Sequence, residues 1–316
     1  MPEVSPSRAR VRRLLERLAP LIGLLVVGAV FASLEPAFLS ARNLVTIPVQ
    51  TVVVALGAIG MTFVIASGGI DLSVGSVIAL ASMAGATVLR AGHSVWLAVP
   101  AAILAGALFG FLNGALIAGL RIVPFIATLG TMGIARGLAK WIGGERTIEP
   151  DPEAVAPLAD LLVKSWTAPG LLITAGLAIF FAVVLARTVF GVHTLAIGSS
   201  EATARLCGIA VGKRKVQIYA LAGALAGLAG ALQLGRVGVG DPTAALGLEL
   251  DVIAAVVIGG ASLNGGTGSI LGSLLGALLM ASLATGCNLV GVPTYVQEIL
   301  IGTIIVAAVS LDRLRG

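Results

Sequence analysis

Charge is what this chain has least of. Its 20 Lys and Arg and 15 Asp and Glu make up 11% of 316 residues, where a water-soluble domain carries about 25%. A chain so poor in charge cannot cover a water-facing surface, so most of it must face lipid. Aromatic residues are scarce too, at 4%. With no strict apolar–polar alternation beside them, that excludes an outer-membrane β-barrel. The two cysteines, Cys207 and Cys287, are too few and too far apart for a disulfide framework or a zinc site. The two histidines, His93 and His193, fall singly at the ends of apolar runs. No nucleophile–base pair and no metal-ligand set is present, so the sequence reads as neither an enzyme nor a cofactor binder.

Apolar length is what the chain has instead. Hydrophobic residues make up 58% of it, and its mean hydropathy is +1.06. A bilayer core of about 30 Å takes about 20 apolar residues in a helix. Leu44–Ile70, Leu72–Leu89, Ser94–Leu120, Ser165–Ala186 and Val216–Gly235 run at or near that length without a charged side chain. The fold expected is an all-α polytopic membrane protein of about ten transmembrane helices, with eight as the alternative. The spans are placed at 18–39, 44–66, 72–91, 95–119, 121–140, 168–188, 215–236, 249–263, 266–287 and 294–311.

Charge then sets orientation. The tail at 1–17 carries Arg8, Arg10, Arg12, Arg13 and Arg17. No small-residue cleavage site follows Leu18–Leu34, so this first run is read as a retained span and not a signal peptide. The tail, the loop with Arg187, Arg205, Lys213, Arg214 and Lys215, and the end with Arg313 and Arg315 are all expected in the cytoplasm. Between them, Gly143–Trp166 is acidic on balance, with Glu145, Glu149, Asp151, Glu153 and Asp160 against Arg146 and Lys164. That predicts N-in and C-in. The pI near 9.8 follows from this distribution and needs no nucleic-acid partner.

Glycine punctuates the spans. From Val252 to Gln297 no residue is charged, a length about twice the bilayer core as one helix. The break falls at GGASLNGGTGS, Gly259–Ser269, and the short piece before it is a candidate half-helix. Asp241-Pro242 upstream reads as an N-cap with Pro at the first helical position. Gly106, Gly110 and Gly114 recur every four residues, as do Gly133 with Gly137, Gly223 with Gly227, and Gly268, Gly272 with Gly276. Such ladders let helices pack closely in lipid. VIASGGIDLSVGSVIAL and VVIGGASLNGGTGSILGSLLGAL share an order of apolar segment, glycine break and small-residue helix, as internal repeats of transporters do. GGTGSILG lacks the Lys-Ser/Thr of a phosphate loop, and no strand pattern precedes it, so nucleotide binding is rejected.

One carboxylate, Asp71, stands in this apolar setting directly after Gly68-Gly69. A carboxylate at the bilayer centre costs about 2.5–3.5 kcal/mol on insertion scales, against about 0.5–2 kcal/mol gained by capping a helix. Two roles stand open: capping the next helix near an interface, or facing a watery translocation path. Ser67, Asn113, Thr128 and Asn264 share the candidacy for helix break or path. Asn113, Gln50 and Gln297 are also polar groups able to hydrogen-bond between helices. Arg136 and Lys140 fall late in the fifth span and can snorkel outward.

The segment at about 189–214 has its own order. Glu201–Gly208 reads as a short helix with Ser199 or Ser200 as N-cap, Gly208 as terminator, and Glu201 and Arg205 as i, i+4 neighbours. A plain loop does not need that order; a helix offered to a cytoplasmic partner does.

Four motifs now stand in order: SGGIDLSVGS from Ser67, PFIATLGTM from Pro124, EATxRxxGI from Glu201 and VIGGASLNGGxGS from Val257. Together they resemble the permease subunits of bacterial ribose/xylose/arabinose-type ABC importers, over roughly Arg42 to Asp312. The resemblance implies one transmembrane permease domain over 18–312 in the bacterial inner membrane. Its implied partners are a second permease copy, a cytoplasmic ABC ATPase, a periplasmic or lipid-anchored sugar-binding protein, and membrane lipid. It also implies that Glu201, Ala202, Arg205 and Gly208 belong to the helix that docks on the ATPase, with Thr203 where many relatives have Ala. A nucleoside or other small polar solute is the alternative cargo. An ion-coupled secondary transporter built on Asp71 is the alternative mechanism.

Overall fold

The computed structural model describes residues 6–162 and 165–315, with side chains from Leu18 onward apart from those of 308 and 311–315. Lys164 and the side chains of Arg8, Arg10, Arg12, Arg13, Arg17, Arg313 and Arg315 therefore lie outside the described set. The described residues are all-α: α1 Pro6–Leu34, α2 Ala41–Ala66, α3 Val74–Arg90, α4 Val95–Gly119, α5 Pro124–Gly143, α6 Pro152–Asp160, α7 Pro169–Arg187, α8 Val189–Ser199, α9 Glu201–Leu206, α10 Val211–Val237, α11 Leu248–Ile258, α12 Ile270–Val290 and α13 Thr294–Arg315. Five of them, α2, α4, α7, α10 and α12, are long and apolar enough to cross a membrane. Shorter apolar helical stretches lie at Leu18–Leu34, Val74–Arg90, Val189–Ser199 and Thr294–Ala307.

Helix starts follow their sequence signals. Pro124, Pro152 and Pro169 open α5, α6 and α7 at the position where a missing N–H costs nothing. Ser269 caps α12 by accepting from the Gly272 N–H at 3.1 Å. Three expectations shift. The fifth helix starts at Pro124 and not at 121, because Arg121 takes a left-handed φ of 54° in the turn before it. The acidic loop carries α6, capped by Asp151. Asp241 caps only a turn, accepting the N–H and hydroxyl of Thr243, both at 2.7 Å. The helix begins later, at Leu248, after left-handed Ala245 and Gly247.

α2 and α10 form the axis of the bundle. The most apolar window of α2 is 89% buried and that of α10 78%, against 22% for α4 and 28% for α7, which present their flanks outward. Glycine makes the axis possible. A Cβ at Gly106, Gly110 or Gly114 of α4 would strike the α10 backbone at Gly223, Gly227, Tyr219 or Val216. The two helices touch main chain to main chain, the close approach that small residues permit in lipid.

The chain passes repeatedly between two ends of the bundle. α6 lies at one end, where Gly235 near the finish of α10 meets Leu158. α9 lies at the other, where Gly198 meets Ala66 at the finish of α2. α1 runs parallel to α12, Gly23 against Leu279 and Gly286 against Phe31. α1 therefore runs from the α9 side, as α12 does, and α13 begins at the opposite end, where Gln297 donates to Asn288 Oδ1 at 2.8 Å.

Candidate functional site

The chain between α2 and α3 does not turn at the surface. After Ser67, whose hydroxyl donates to the Val64 carbonyl at 2.7 Å, Gly68 takes a φ of 79° and the chain doubles back into the bundle. Val74, the first residue of α3, packs at the level of Gly57. Gly57 lies nine residues before the end of α2, about 14 Å inside by helical rise. Asp71 is thus buried within the bundle.

There it is held by hydroxyl and amide donors. Its Oδ1 accepts the Ser73 N–H at 2.8 Å and the Ser73 hydroxyl at 2.6 Å. Asn113 of α4 donates to Ser73 Oγ at 2.8 Å and, at 3.5 Å, reaches Asp71 Oδ2. Thr131 of α5 donates to Asn113 Oδ1 at 2.5 Å. Thr128, one turn earlier, accepts the Leu72 N–H at 3.2 Å. The Tyr219 hydroxyl of α10 stands 3.5 Å from the Ile70 carbonyl oxygen. A broken helix is fastened in this way to three neighbours. Interhelical bonds of this kind contribute about 0.6 kcal/mol each in lipid, and together they fix the position of the break. The void beside Asp71, lined by Met61, Val64, Asn113 and Ala222, is about 10 Å³, about the least that holds one water. No path for a solute runs through it in this conformation.

The structure thus brings Asp71, Asn113 and Thr128 together and leaves Ser67 and Asn264 apart. Asn264 is exposed in the 259–269 turn at the α9 end. Its neighbours give that turn a role of their own. Gly266 N–H donates to the Ala66 carbonyl at 3.0 Å. Gly265 packs on Gly68 and Gly198, and a Cβ at Gly198 would strike the Ala66 carbonyl and the Gly266 amide. Three chain segments, at 66–68, 198–199 and 265–266, meet through glycine where no side chain would fit.

α9 follows this junction directly. Ser200 caps it, accepting the Thr203 N–H at 3.2 Å, and Gly208, with a φ of 81°, terminates it. Arg205 donates to Glu201 Oε1 at 2.6 Å, and Lys215 from the first turn of α10 donates to Oε2 at 2.6 Å. These donors, Lys215 above all, hold the Glu201 carboxyl below its ordinary range. The Lys215 pair ties α9 to the span that forms the axis, and the Arg205 pair braces α9 itself. Ala202 is exposed, and Leu206 is 89% exposed, the most exposed large apolar side chain described. A cavity of about 220 Å³ separates α9 from the α4–α5 turn, with Arg121, Glu201, Arg205 and Lys215 on its walls.

Sequence reasoning missed Ser73, Thr131, Tyr219, Lys215 as the partner of Glu201, and Leu206. Lys215 and Leu206 lay within the segment already singled out. Ser73 and Thr131 lay inside SGGIDLSVGS and PFIATLGTM without being singled out there, and Tyr219 carries no pattern of its own.

Residues 43–309 match the family described as branched-chain amino acid transport system / permease component. A ribose import permease protein of Bacillus subtilis is 38% identical, the match covering 98% of this chain and 97% of that one. Its counterpart in Escherichia coli K12 is 40% identical with the same coverage. An L-arabinose ABC transporter permease protein of Azospirillum brasilense is 35% identical over 99% of this chain and 92% of its own. No solved structure matches the chain.

Proposed function

The chain belongs to this family of transport-system permease components, and from that premise we propose that it is the membrane subunit of an ATP-driven importer of a monosaccharide. ATP hydrolysis belongs to a separate subunit, and the permease is the moving wall. The relatives named for ribose and L-arabinose match nearly end to end, which favours a pentose-type sugar, delivered by an extracytoplasmic binding protein.

Ten crossings with both termini in the cytoplasm fit the charge distribution. The α9 end carries Arg121, Arg187, Arg205, Lys213, Arg214 and Lys215; at the α6 end Glu145, Glu149, Asp151, Glu153 and Asp160 stand with Arg42, Arg90, Arg146 and Arg236. α9 is the helix that docks on the ATPase. The observation that carries this reading is its construction: a six-residue helix, capped at both ends, ion-paired to α10, with Leu206 projecting free. Leu206 is the apolar knob for a pocket on the partner, and Glu201 transmits movement to α10 through Lys215. The glycine junction at Gly198 passes it to the α2–α3 break and its Asp71 network. The solute crosses between two copies of the chain, which explains why the void within one copy is so small. α5 supports the pairing, because among the described residues nothing lies within 4 Å of where a Cβ would stand at its Gly130, Gly133 and Gly137.

Uptake into proteoliposomes tests the proposal. The chain is reconstituted with its ATPase and binding protein, and labelled ribose or arabinose is offered with ATP inside the vesicle lumen facing the ATPase. ATP-dependent uptake of one sugar is expected. Uptake driven by a proton or sodium gradient alone, and abolished by Asp71→Asn, would replace the importer with an ion-coupled carrier.

A further inference from the structure

A second basic surface lies beside the α9 end, and neither the transport path nor the docking helix accounts for it. Between α8 and the start of α10 a cavity of about 310 Å³ is walled by His193, Ile209, Ala210, Lys213, Arg214 and Gln217. No carboxylate lines it. Arg214 is held rigidly: its Nε donates to His193 Nδ1 at 3.3 Å, its Nη1 to Gln217 Oε1 at 3.0 Å, and its guanidinium lies over the Phe190 ring at 5.3 Å. None of the three partners is a carboxylate. The positive charge is therefore positioned but not neutralised. Lys213 is exposed and makes no hydrogen bond or ion pair among the described residues. α10 begins at the same place, with no side chain capping its first turn, so the field of its N-terminus adds to that of the two cations.

What flanks the cavity narrows the class of anion. Val189 stands one turn before His193 on α8 and is 64% exposed, and Val192, the adjacent residue, is 57% exposed. Charged donors and an open apolar helix face adjoin, which suits a molecule with an anionic head and an apolar body. Basic pockets between membrane helices hold lipid head groups by this combination. We propose that this cavity binds the phosphate of an anionic phospholipid in the leaflet at the α9 end, with its acyl chains along Val189 and Val192. The lipid would rest against Ile209 and Ala210, the hinge joining α9 to α10. This inference does not depend on the transported solute or on the docking role of α9.

The test uses the full chain, purified, delipidated and titrated with dioleoyl-phosphatidylglycerol or dioleoyl-phosphatidylcholine while bound lipid is counted by native mass spectrometry. Phosphatidylglycerol should bind in preference, and Lys213→Gln/Arg214→Gln should weaken it by about tenfold or more. Arg121→Gln, which removes a cation from the same end but not from this cavity, should leave binding unchanged. Should the double variant fail to fold, Lys213→Gln alone serves, because that side chain holds no partner to lose; a fall of a few-fold is expected. Equal binding of the two lipids, or unchanged binding in the variants, would overturn the proposal. So would lipid retained by the chain alone but released when the ATPase is added, which would give the surface to that subunit. Displacement by millimolar inorganic phosphate without any lipid preference would make it a free-anion site instead.

Discussion

Two glycine ladders stand on consecutive helices and meet opposite fates. On α4, Gly106, Gly110 and Gly114 lie against the α10 backbone with no room for a Cβ; on α5, Gly130, Gly133 and Gly137 have nothing among the described residues within 4 Å of where a Cβ would stand. The spacing is similar and the chemistry identical. What differs is the neighbour, which the same chain provides in one case and does not in the other. A small-residue ladder thus states that a close approach is possible, and says nothing about what approaches. In this account α10 occupies the first ladder, and a second copy is assigned to the second.

The strongest way to break that comparison is Gly110→Leu. Its side chain would drive into the carbonyl of Tyr219 at the axis, where overpacking costs about 1–3 kcal/mol or more even among flexible side chains. No monodisperse protein is expected on size-exclusion chromatography. The matching change on α5, Gly133→Leu, should leave the single chain folded and lower the yield of cysteine cross-links between copies several-fold. If instead both substitutions unfold the chain equally, the α5 ladder is a packing face within it and the comparison fails.

The buried network sharpens the picture at smaller scale. Thr131→Val removes the donor to Asn113 Oδ1, a loss of about 0.6 kcal/mol on the scale of membrane hydrogen bonds, and should lower the melting temperature by a few degrees at most. The same substitution at Thr174, whose hydroxyl donates only to the Gly170 carbonyl of its own helix, should have a smaller effect still.

The least effect on stability is expected from Glu201→Gln. Glu201 keeps 39% of its side chain exposed, and exposed ion pairs contribute under about 1 kcal/mol. The sign of its pH dependence follows from its lowered pKa: the contribution is present above the ordinary value of 4.5 and is lost as pH falls through the folded value below it. Melting temperatures of wild type and Glu201→Gln should therefore differ at neutral pH and converge on acidification below 4.5. A gap that persists or widens in acid would show that the carboxylate is not the stabilising form.

Much of this was legible in the sequence, for local reasons. The cap, length and terminator of α9 are written in consecutive residues, as are the breaks after Ser67 and after Ile258. The half-helix α11 follows from a run too short for a span. What was not legible is register between helices. Thr46, Thr51, Thr87 and Thr174 all donate to the carbonyl four residues back, the ordinary fate of threonine in an apolar helix. Thr131 stands in PFIATLGTM, but nothing in that motif says that its hydroxyl reaches across to Asn113. The meeting of Gly68, Gly198 and Gly265 is equally invisible, because a glycine that admits another backbone looks like one that merely ends a helix. The two motifs paired as an internal echo do come together there, Gly266 bonding to Ala66, through contact that composition alone could not specify.

Coupling through α9 is the central claim, and ATP hydrolysis by the reconstituted complex tests it most directly. Hydrolysis is measured with and without sugar-loaded binding protein, for wild type and for Glu201→Ala/Arg205→Ala. The account predicts that the loaded binding protein stimulates the wild-type complex and that the double variant loses both stimulation and uptake, although its bundle folds normally. Full stimulation and uptake in the double variant would contradict it.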